Sequence, residues 1–281
     1  IANGLSCIMR NFYAARGSNL YIVTSVDDEN KSKLSEILEK SLKSMENLVS
    51  VSIEDVKFLK PIKNRRRSLN IFIIDSHKNF DKICQHVNYE HFKIRKLFTV
   101  VSIVHLSDKD MKSIFDCFMS RLMVSVNILA LDESHSLSLF TFFPFSKGEE
   151  CRNTKIVKIN SFNDSKNAWE NQNFNPKKCR NLHNCPLIVG IAARSTEPAI
   201  IVNHDSDGKT IISGIEYEIF TELSKRLNFD FKVKIFNESV GNIFPNGSGN
   251  GVLARTFAKE VEVTLGLVSL QLIRTLVFSE T

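Results

Sequence analysis

A serine and an arginine near the carboxyl end of the chain have the type and spacing of an anion-binding site. Ser269 begins a short segment that predicts a helix, and Arg274 follows five residues later. A helix N-terminus presents unpaired backbone N–H groups and a positive dipole end, which bind carboxylates or phosphates. Ser269 can add its hydroxyl there, and the Arg274 guanidinium can bind the same carboxylate through two hydrogen bonds. The alternatives are a plain N-cap for Ser269 and a surface arginine for Arg274.

Two helix–strand units precede this segment and must position it. The first helix is predicted from apolar residues that recur every four positions, with Phe220 beside them: Ile215, Ile219, Leu223 and Leu227. The residues from Phe229 to Ile235 then alternate between apolar and charged, which predicts a half-buried strand. A short helix at Val252–Phe257 and a strand at Val261–Leu265 follow. Upstream, short apolar strands are predicted at Leu187–Ala192 and Ala199–Val202, and Asp207-Gly208 is a hairpin turn signal.

The order and spacing of these elements carry a family resemblance. A pattern of glycine, spaced apolar residues and phenylalanine runs from Gly214 to Phe229. A segment comparable to P-L-T-x-T-x-x-R runs from Leu267 to Arg274, and Phe278-Ser279 follows it. Together they resemble the first half of the ligand-binding domain of ionotropic glutamate receptors, and more closely that of the chemosensory ionotropic receptors of insects. A weaker resemblance extends upstream through residues 138–151 and 181–187.

The resemblance implies roles for individual residues. Arg274 matches the arginine that clamps the ligand carboxylate, and Ser269 matches a threonine of the family. Leu267 and Gln271 depart from the proline and the second threonine of the motif, and Ile212 stands where glutamate receptors place an aromatic lid residue. The loss of that aromatic residue argues against glutamate as the ligand.

The remaining sequence indicates a second domain. The first 145 residues alternate apolar strands with helices, which predicts a largely parallel α/β sheet covered on both faces. The predicted strands are Asn19–Ser25, Val51–Val56, Leu69–Asp75, Leu97–His105, Val124–Leu131 and Ser136–Phe143, and the predicted helices are Lys31–Val49, Asn79–Phe92 and Lys109–Met123. By resemblance, residues 1–145 are a reduced, Rossmann-like amino-terminal domain. Residues 146–185 are a polar linker, and residues 186–281 are the upper lobe of a periplasmic-binding-protein-like ligand-binding domain.

Composition suits this organisation. The 281 residues are 43% hydrophobic and carry a net charge of +6, which predicts a globular chain of two domains. The chain begins at Ile1 without a leader, ends within a half-domain, and has no apolar run of 18 residues, so we expect a fragment whose membrane spans lie elsewhere. A basic run between Lys57 and Arg67 is interleaved with apolar residues and is interpreted as a surface loop rather than a nucleic-acid site.

Cysteines and sequons favour a secreted context. Of six cysteines, Cys151 is expected to pair with Cys179 or Cys185 across the linker, and Cys117 is expected to be a core thiol. Asn-x-Ser sequons predict glycosylation at Asn30, Asn163, Asn237 and Asn246.

The resemblance implies the extracellular part of a ligand-gated cation channel subunit for chemosensation, at the cell membrane of a sensory neuron. Its ligand would be a small carboxylate or amine held in a two-lobed cleft. Its partners would be other ionotropic receptor subunits, including a co-receptor, in a hetero-tetramer. No cofactor, metal or nucleic acid is expected, and no motif indicates an enzyme. Two alternatives stay open: a soluble or anchored solute-binding protein without a pore, and a degenerate paralogue that folds and assembles without binding ligand.

Overall fold

The structure is a computed structural model. It describes residues 1–10, 19–43, 51–58, 68–86, 97–121, 123–147, 150–193, 199–244 and 248–266. The chain divides into two compact units. Unit 1 comprises Ile1–Pro144 and Arg152–Lys178, and unit 2 comprises Phe145–Cys151 and Cys179–Thr281.

Unit 1 is built on one mostly parallel sheet. Its strands are β1 (Asn19–Ser25), β2 (Val51–Asp55), β3 (Ser68–Ile74), β4 (Phe98–Ser102), β5 (Val126–Leu131), β6 (Leu137–Thr141), β7 (Val157–Asn163) and β8 (Ala168–Trp169). They lie in the order β2-β1-β3-β4-β5-β6-β7-β8. The first five are parallel, and β6, β7 and β8 are added antiparallel. The predicted α/β fold with a largely parallel sheet is confirmed.

Helices cover both faces of this sheet, as the uninterrupted apolar strands predict. The helices are α1 (Ala2–Ile8), α2 (Lys31–Lys43), α3 (His77–His86) and α4 (Asp108–Met119). Phe72 and Phe98 from the strands pack with Phe80 of α3 and Phe118 of α4 on one face. The other face buries apolar side chains of α1 and α2, among them Leu5 and Ile37, against the alternate strand residues. The strands β1, β3, β4, β5 and β6 therefore contribute side chains to both hydrophobic cores.

Residues 146–185, predicted as a linker, are distributed over both units. Residues 157–169 form β7 and β8, which extend the sheet of unit 1 beyond β6. Trp169 is buried and donates its indole N–H to the Gly4 carbonyl at 3.1 Å. Lys178 is also buried, and its ammonium donates to the carbonyl of Val124 at 2.7 Å and to the hydroxyl of Thr141 at 2.6 Å. The sequence did not predict these two strands, because the segment is rich in polar residues, which are typical of a linker. Several of these polar side chains instead form hydrogen bonds in turns or with the backbone.

Unit 2 contains a three-stranded parallel sheet. Its elements are β9 (Leu187–Ala192), the hairpin β10 (Ile201–His204) and β11 (Thr210–Ser213), α5 (Ile215–Leu227), β12 (Phe231–Phe236), α6 (Gly251–Phe257) and β13 (Val263–Leu265). The strand order is β12-β9-β13, so β9 is central. A Cβ at Gly190 in β9 would lie 2.7 Å from Val252 Cγ1 of α6, so glycine permits this close helix–sheet approach. The predicted helix–strand alternation of this region is confirmed.

The bounds of α5 match the prediction, but most of its apolar stripe does not face the core, although Leu227 packs against it. Ile215, Ile219 and Leu223 are 56%, 63% and 37% exposed. The helix instead packs through Tyr217 and Phe220, whose rings lie 6.0 and 5.1 Å from the ring of Phe231 on β12. Aromatic side chains bury more area than isoleucine and make edge-to-face contacts, so they set the orientation of the helix.

Two disulfides occur among the described residues. Cys84–Cys117 joins α3 to α4 in unit 1, so the expectation that Cys117 is a core thiol was wrong. The position of Cys117 on an apolar helix face is compatible with a free thiol and with a disulfide, because the disulfide also packs against the phenylalanine-rich core. Cys151–Cys185 lies within unit 2 and is one of the two pairings left open by the sequence. Such bonds persist in oxidising compartments.

Candidate functional site

The predicted anion-binding residues, Ser269 and Arg274, lie outside the described residues, as do Leu267 and Gln271. The described chain of unit 2 ends one residue after β13, at Gly266. The described groups nearest to the predicted anion-binding segment are those that surround the carboxyl end of β13.

The carboxyl ends of β9, β12 and β13 share one edge of the parallel sheet. Ligands of open α/β sheets bind outside this edge, where the strand order reverses. The reversal in unit 2 is at β9, because the chain passes from β9 to β12 on one side and then to β13 on the other. Gly266 leaves this edge directly beside the N-terminus of α5, where the Glu216 carboxylate accepts a hydrogen bond from the Gly266 N–H at 2.6 Å. This bond fixes the point from which the chain continues toward Ser269.

The residues that enter α5 are held tightly at the same edge. Gly214 has φ of 113°, and a Cβ there would lie 2.5 Å from the carbonyl oxygen of Ala199. Ile212, which the resemblance matched to the aromatic lid position, pairs with Val202 in the hairpin and packs against the hydrophobic core of unit 2.

A second arginine of unit 2 is engaged within the protein. The Arg255 guanidinium on α6 lies 3.0 Å from the Glu238 carboxylate, which follows β12, and 3.3 Å from the Glu260 carboxylate. The Arg255 guanidinium donates hydrogen bonds to both carboxylates, and these bonds raise the pKa of Arg255. These side chains line a groove of about 640 Å³ whose walls include Ser239 and Asn250. One cation between two carboxylates leaves the groove acidic, so Arg255 does not substitute for the predicted anion-binding arginine.

Unit 1 has its own strand-order reversal, between β1 and β3. Asp75 follows β3 there and is only 6% exposed. Its carboxylate accepts hydrogen bonds from the Asp27 N–H at 2.7 Å, from Asn30 Nδ2 at 3.0 Å and from Asn79 Nδ2 at 2.7 Å. Burial acts to raise the pKa of Asp75, but these hydrogen bonds outweigh it and the net pKa is lowered. At the carboxyl edge of the sheet in unit 1, hydrogen bonds to Asp75 thus connect the loop after β1 with the start of α3.

The described sequons differ in their surroundings. Asn30 uses the nitrogen that would carry a glycan to donate to Asp75. Asn163 ends β7, and its side-chain oxygen accepts from the Lys166 N–H at 2.9 Å in the turn that follows. Asn237 directly follows β12, and Asn246 lies outside the described residues.

Sequence patterns did not reveal the roles of Glu216, Asp75 or Arg255. Glu216 lies in the first turn of its helix, where acidic residues are generally preferred, and that preference carries no information about Gly266, 50 residues away. For Asp75, the signal was available, because it directly follows a buried strand and precedes a helix with Asn79 one turn along. The two partners of Arg255 come from separate loops, which no local spacing indicates.

The described part of the chain contains no cluster of three or more His, Cys, Asp or Glu side chains with the geometry of a metal site. In the same residues, no helix combines the length and apolar character required to span a bilayer.

Both units have mixed α/β folds with parallel sheets, of the kind found in the lobes of periplasmic-binding-protein-like ligand-binding domains. A family model described as "Putative ionotropic receptor, ligand binding domain" matches residues 1–181 of the 281. The chain therefore belongs to this ionotropic receptor family, which is a family of receptor domains and not of enzymes. No curated protein matches the chain. The matched residues include all of unit 1, whereas the sequence prediction placed the ligand-binding lobe at residues 186–281.

Proposed function

We propose that the chain is the extracellular ligand-binding part of a ligand-gated cation channel subunit that acts in chemosensation. Membership of the ionotropic receptor family supports a receptor. The two disulfides support an extracellular location, because such bonds are rare in reducing compartments.

The observation that carries the proposal is the hydrogen bond from Gly266 to Glu216. It holds the end of β13 at the carboxyl edge of the sheet, where ligands of this fold class bind. Ser269 and Arg274 follow three and eight residues later, within reach of that edge. The carboxyl edge of unit 1 is bridged by Asp75 and the donors from Asp27, Asn30 and Asn79. We therefore place the ligand in unit 2.

The ligand class follows from these groups. A guanidinium and a hydroxyl recognise a carboxylate, and the acidic groove beside Arg255 favours an additional amine. A ligand that prefers the closed cleft over the open one shifts the population toward the closed form. We propose that this closure opens a pore encoded by other segments of a hetero-tetramer that includes a co-receptor subunit.

The test is electrophysiology of the full-length receptor, co-expressed with candidate co-receptors and challenged with a panel of small carboxylates and amines. We expect an agonist whose currents disappear in Arg274→Ala, because the carboxylate loses its charged donor. Arg274→Lys should retain the charge and raise the half-maximal agonist concentration by about tenfold or more, since lysine cannot bind both carboxylate oxygens in parallel. Surface labelling must show equal expression. An unchanged dose–response curve in Arg274→Ala would exclude this residue from the site.

A further inference from the structure

The disulfide between α3 and α4 lies against a positive charge. The Arg121 guanidinium, which follows α4, donates through Nη1 to the Cys117 carbonyl at 2.8 Å and contacts the Cys117 sulfur at 3.2 Å. Its Nη2 donates to the Cys84 carbonyl at 2.9 Å. One arginine therefore contacts both residues of the Cys84–Cys117 bond. A neighbouring arginine stabilises a thiolate relative to the thiol.

Without Arg121, the position of this disulfide would disfavour a thiolate. Cys84 and Cys117 lie in the last turns of α3 and α4, where the helix dipole is negative. Each helix end is equivalent to about half an elementary charge spread over its last carbonyls, whereas the guanidinium places a full charge against the Cys117 sulfur. Partial burial lowers the pKa of Arg121, and the surrounding protein screens its charge less than water would. Arg121 therefore offsets the dipole at Cys117.

The two disulfides of the described residues differ in the thiolate that each would release. Cys84 and Cys117 are half-buried, so a thiol can approach them. Cys185 is only 2% exposed and packs in the apolar core of unit 2. Attack on Cys151 would release the Cys185 thiolate into that core, and apolar surroundings disfavour a thiolate. Because a more stable thiolate leaves faster, exchange is favoured at Cys84–Cys117.

From this geometry we infer that Cys84–Cys117 is an exchange site for low-molecular-mass thiols, with Arg121 stabilising Cys117 as the leaving group. The thiolate of one such molecule attacks the Cys84 sulfur and forms a mixed disulfide there. The bond to Cys117 breaks, and its electron pair stays on the Cys117 sulfur. A second thiolate then attacks the sulfur of the bound small thiol and releases Cys84. Two small thiols are oxidised to one disulfide, and their two protons pass to Cys84 and Cys117.

Two other contacts hold α3 to α4 when the disulfide is open. The rings of Phe80 and Phe118 lie 5.6 Å apart, and His77 Nε2 lies 2.8 Å from the Ser113 hydroxyl. The two sulfurs therefore stay close, and oxidation can restore their bond. The exchange adjusts how firmly α3 is held in unit 1. It goes beyond the proposed ligand binding in unit 2 and does not rest on it, so the two tests are separate.

The experiment follows the opening of each disulfide by reduced glutathione at pH 7. The 281-residue chain, secreted with its disulfides, is quenched with acid at intervals, its thiols are blocked with N-ethylmaleimide, and peptide mapping locates the glutathione adducts. We expect Cys84–Cys117 to open before Cys151–Cys185, with the first adduct on Cys84.

Variants of Arg121 test the role of its charge. Arg121→Gln should slow the opening of Cys84–Cys117 by about threefold or more, and Arg121→Lys should restore most of the parent rate. Loosening of the two helix ends alone would have the opposite effect, because it would expose the disulfide and speed its opening. Lys112→Gln is the matched control, since it removes a positive charge of α4 that is paired with Asp116, and it should open at the parent rate.

Three results would overturn the inference. The first is a glutathione adduct that forms initially on Cys117, and the second is Cys151–Cys185 opening before Cys84–Cys117. The third is an Arg121→Gln variant whose Cys84–Cys117 bond opens at the parent rate or faster.

Discussion

Asp75 connects three separate parts of unit 1 through one carboxylate. Its donors come from the loop that follows β1, from a short helical turn and from α3. A buried donor that loses its acceptor costs about 1–3 kcal/mol. At the residue scale, stability at this edge is therefore concentrated in one side chain.

We predict that Asp75→Ala lowers the free energy of unfolding by about 2–4 kcal/mol, because the donors from Asp27, Asn30 and Asn79 lose their acceptor. Urea denaturation at pH 7 measures the change. Asp81→Ala is the control, since that carboxylate lies on α3, the helix that follows Asp75, and is half exposed. A loss for Asp75→Ala no larger than that of the control would contradict the assigned role.

The same carboxylate predicts a pH dependence. Its pKa is lowered in the folded state, so its contribution is present above the unfolded-state pKa of about 4 and is lost as the pH falls through the folded-state value. Unfolding free energies measured from pH 7 to pH 2 should fall less steeply below pH 4 in Asp75→Asn than in the parent chain. Parallel curves would show that Asp75 does not titrate in this way.

Glycosylation should distinguish two of the sequons. We predict a glycan on Asn163 and none on Asn30, because the Asn30 amide nitrogen is bonded to Asp75. In protein secreted from eukaryotic cells, Asn163→Gln should remove one glycan from the intact mass. Asn30→Gln should leave the glycan mass unchanged while lowering stability. A glycan identified on Asn30 by peptide mapping would refute the prediction.

At the element scale, periodicity predicted most helices and strands but not their contacts. Uninterrupted apolar runs identified β3, β4 and β5, because both faces of these strands are buried. The same reasoning failed for α5, where the regular isoleucine stripe is exposed and two aromatic residues define the core face. It also missed β7 and β8, whose side chains are half polar. Which face is buried depends on tertiary partners that no local pattern records.

Gly190 tests the contact between α6 and β9. We predict that Gly190→Ala destabilises unit 2 by about 1–3 kcal/mol, because the added methyl group would lie 2.7 Å from Val252 and 3.0 Å from Val261. Hydrogen exchange of the backbone amides of β9, measured in the variant and the parent, reports the change in the stability of unit 2. Gly208→Ala separates crowding from backbone strain, because a Cβ there meets nothing within 4 Å although φ is 75°. A Gly190→Ala variant as stable as the parent would contradict the close contact between α6 and β9.

The disulfide between α3 and α4 constrains 33 residues of chain. We predict that replacing both Cys84 and Cys117 by serine lowers the unfolding free energy of unit 1 by about 2–4 kcal/mol. Chemical denaturation of the variant and the parent measures the difference. The corresponding double variant at Cys151 and Cys185 should instead affect unit 2. A Cys84/Cys117 variant as stable as the parent would argue against this bond.

At the scale of the whole molecule, the chain has two α/β units, and only one of them is proposed to bind ligand. The family match covers unit 1, where the carboxyl edge is bridged by Asp75. The predicted anion-binding segment follows β13 of unit 2, where Glu216 fixes its starting point. The sequence predicted the class of fold and the receptor family because these depend on element order and spacing. The sequence did not predict the hydrogen bonds to Asp75, because they join residues that lie up to 48 positions apart in the chain.

The most direct test of the channel proposal is the complete transcript that encodes this chain. A channel subunit requires apolar runs of about 20 residues, each long enough to cross a bilayer as a helix. We predict three such runs beyond Thr281, followed by a second α/β half-domain that completes the cleft. A reading frame that continues into one more α/β lobe and stops without any such run would contradict the channel and indicate a solute-binding protein.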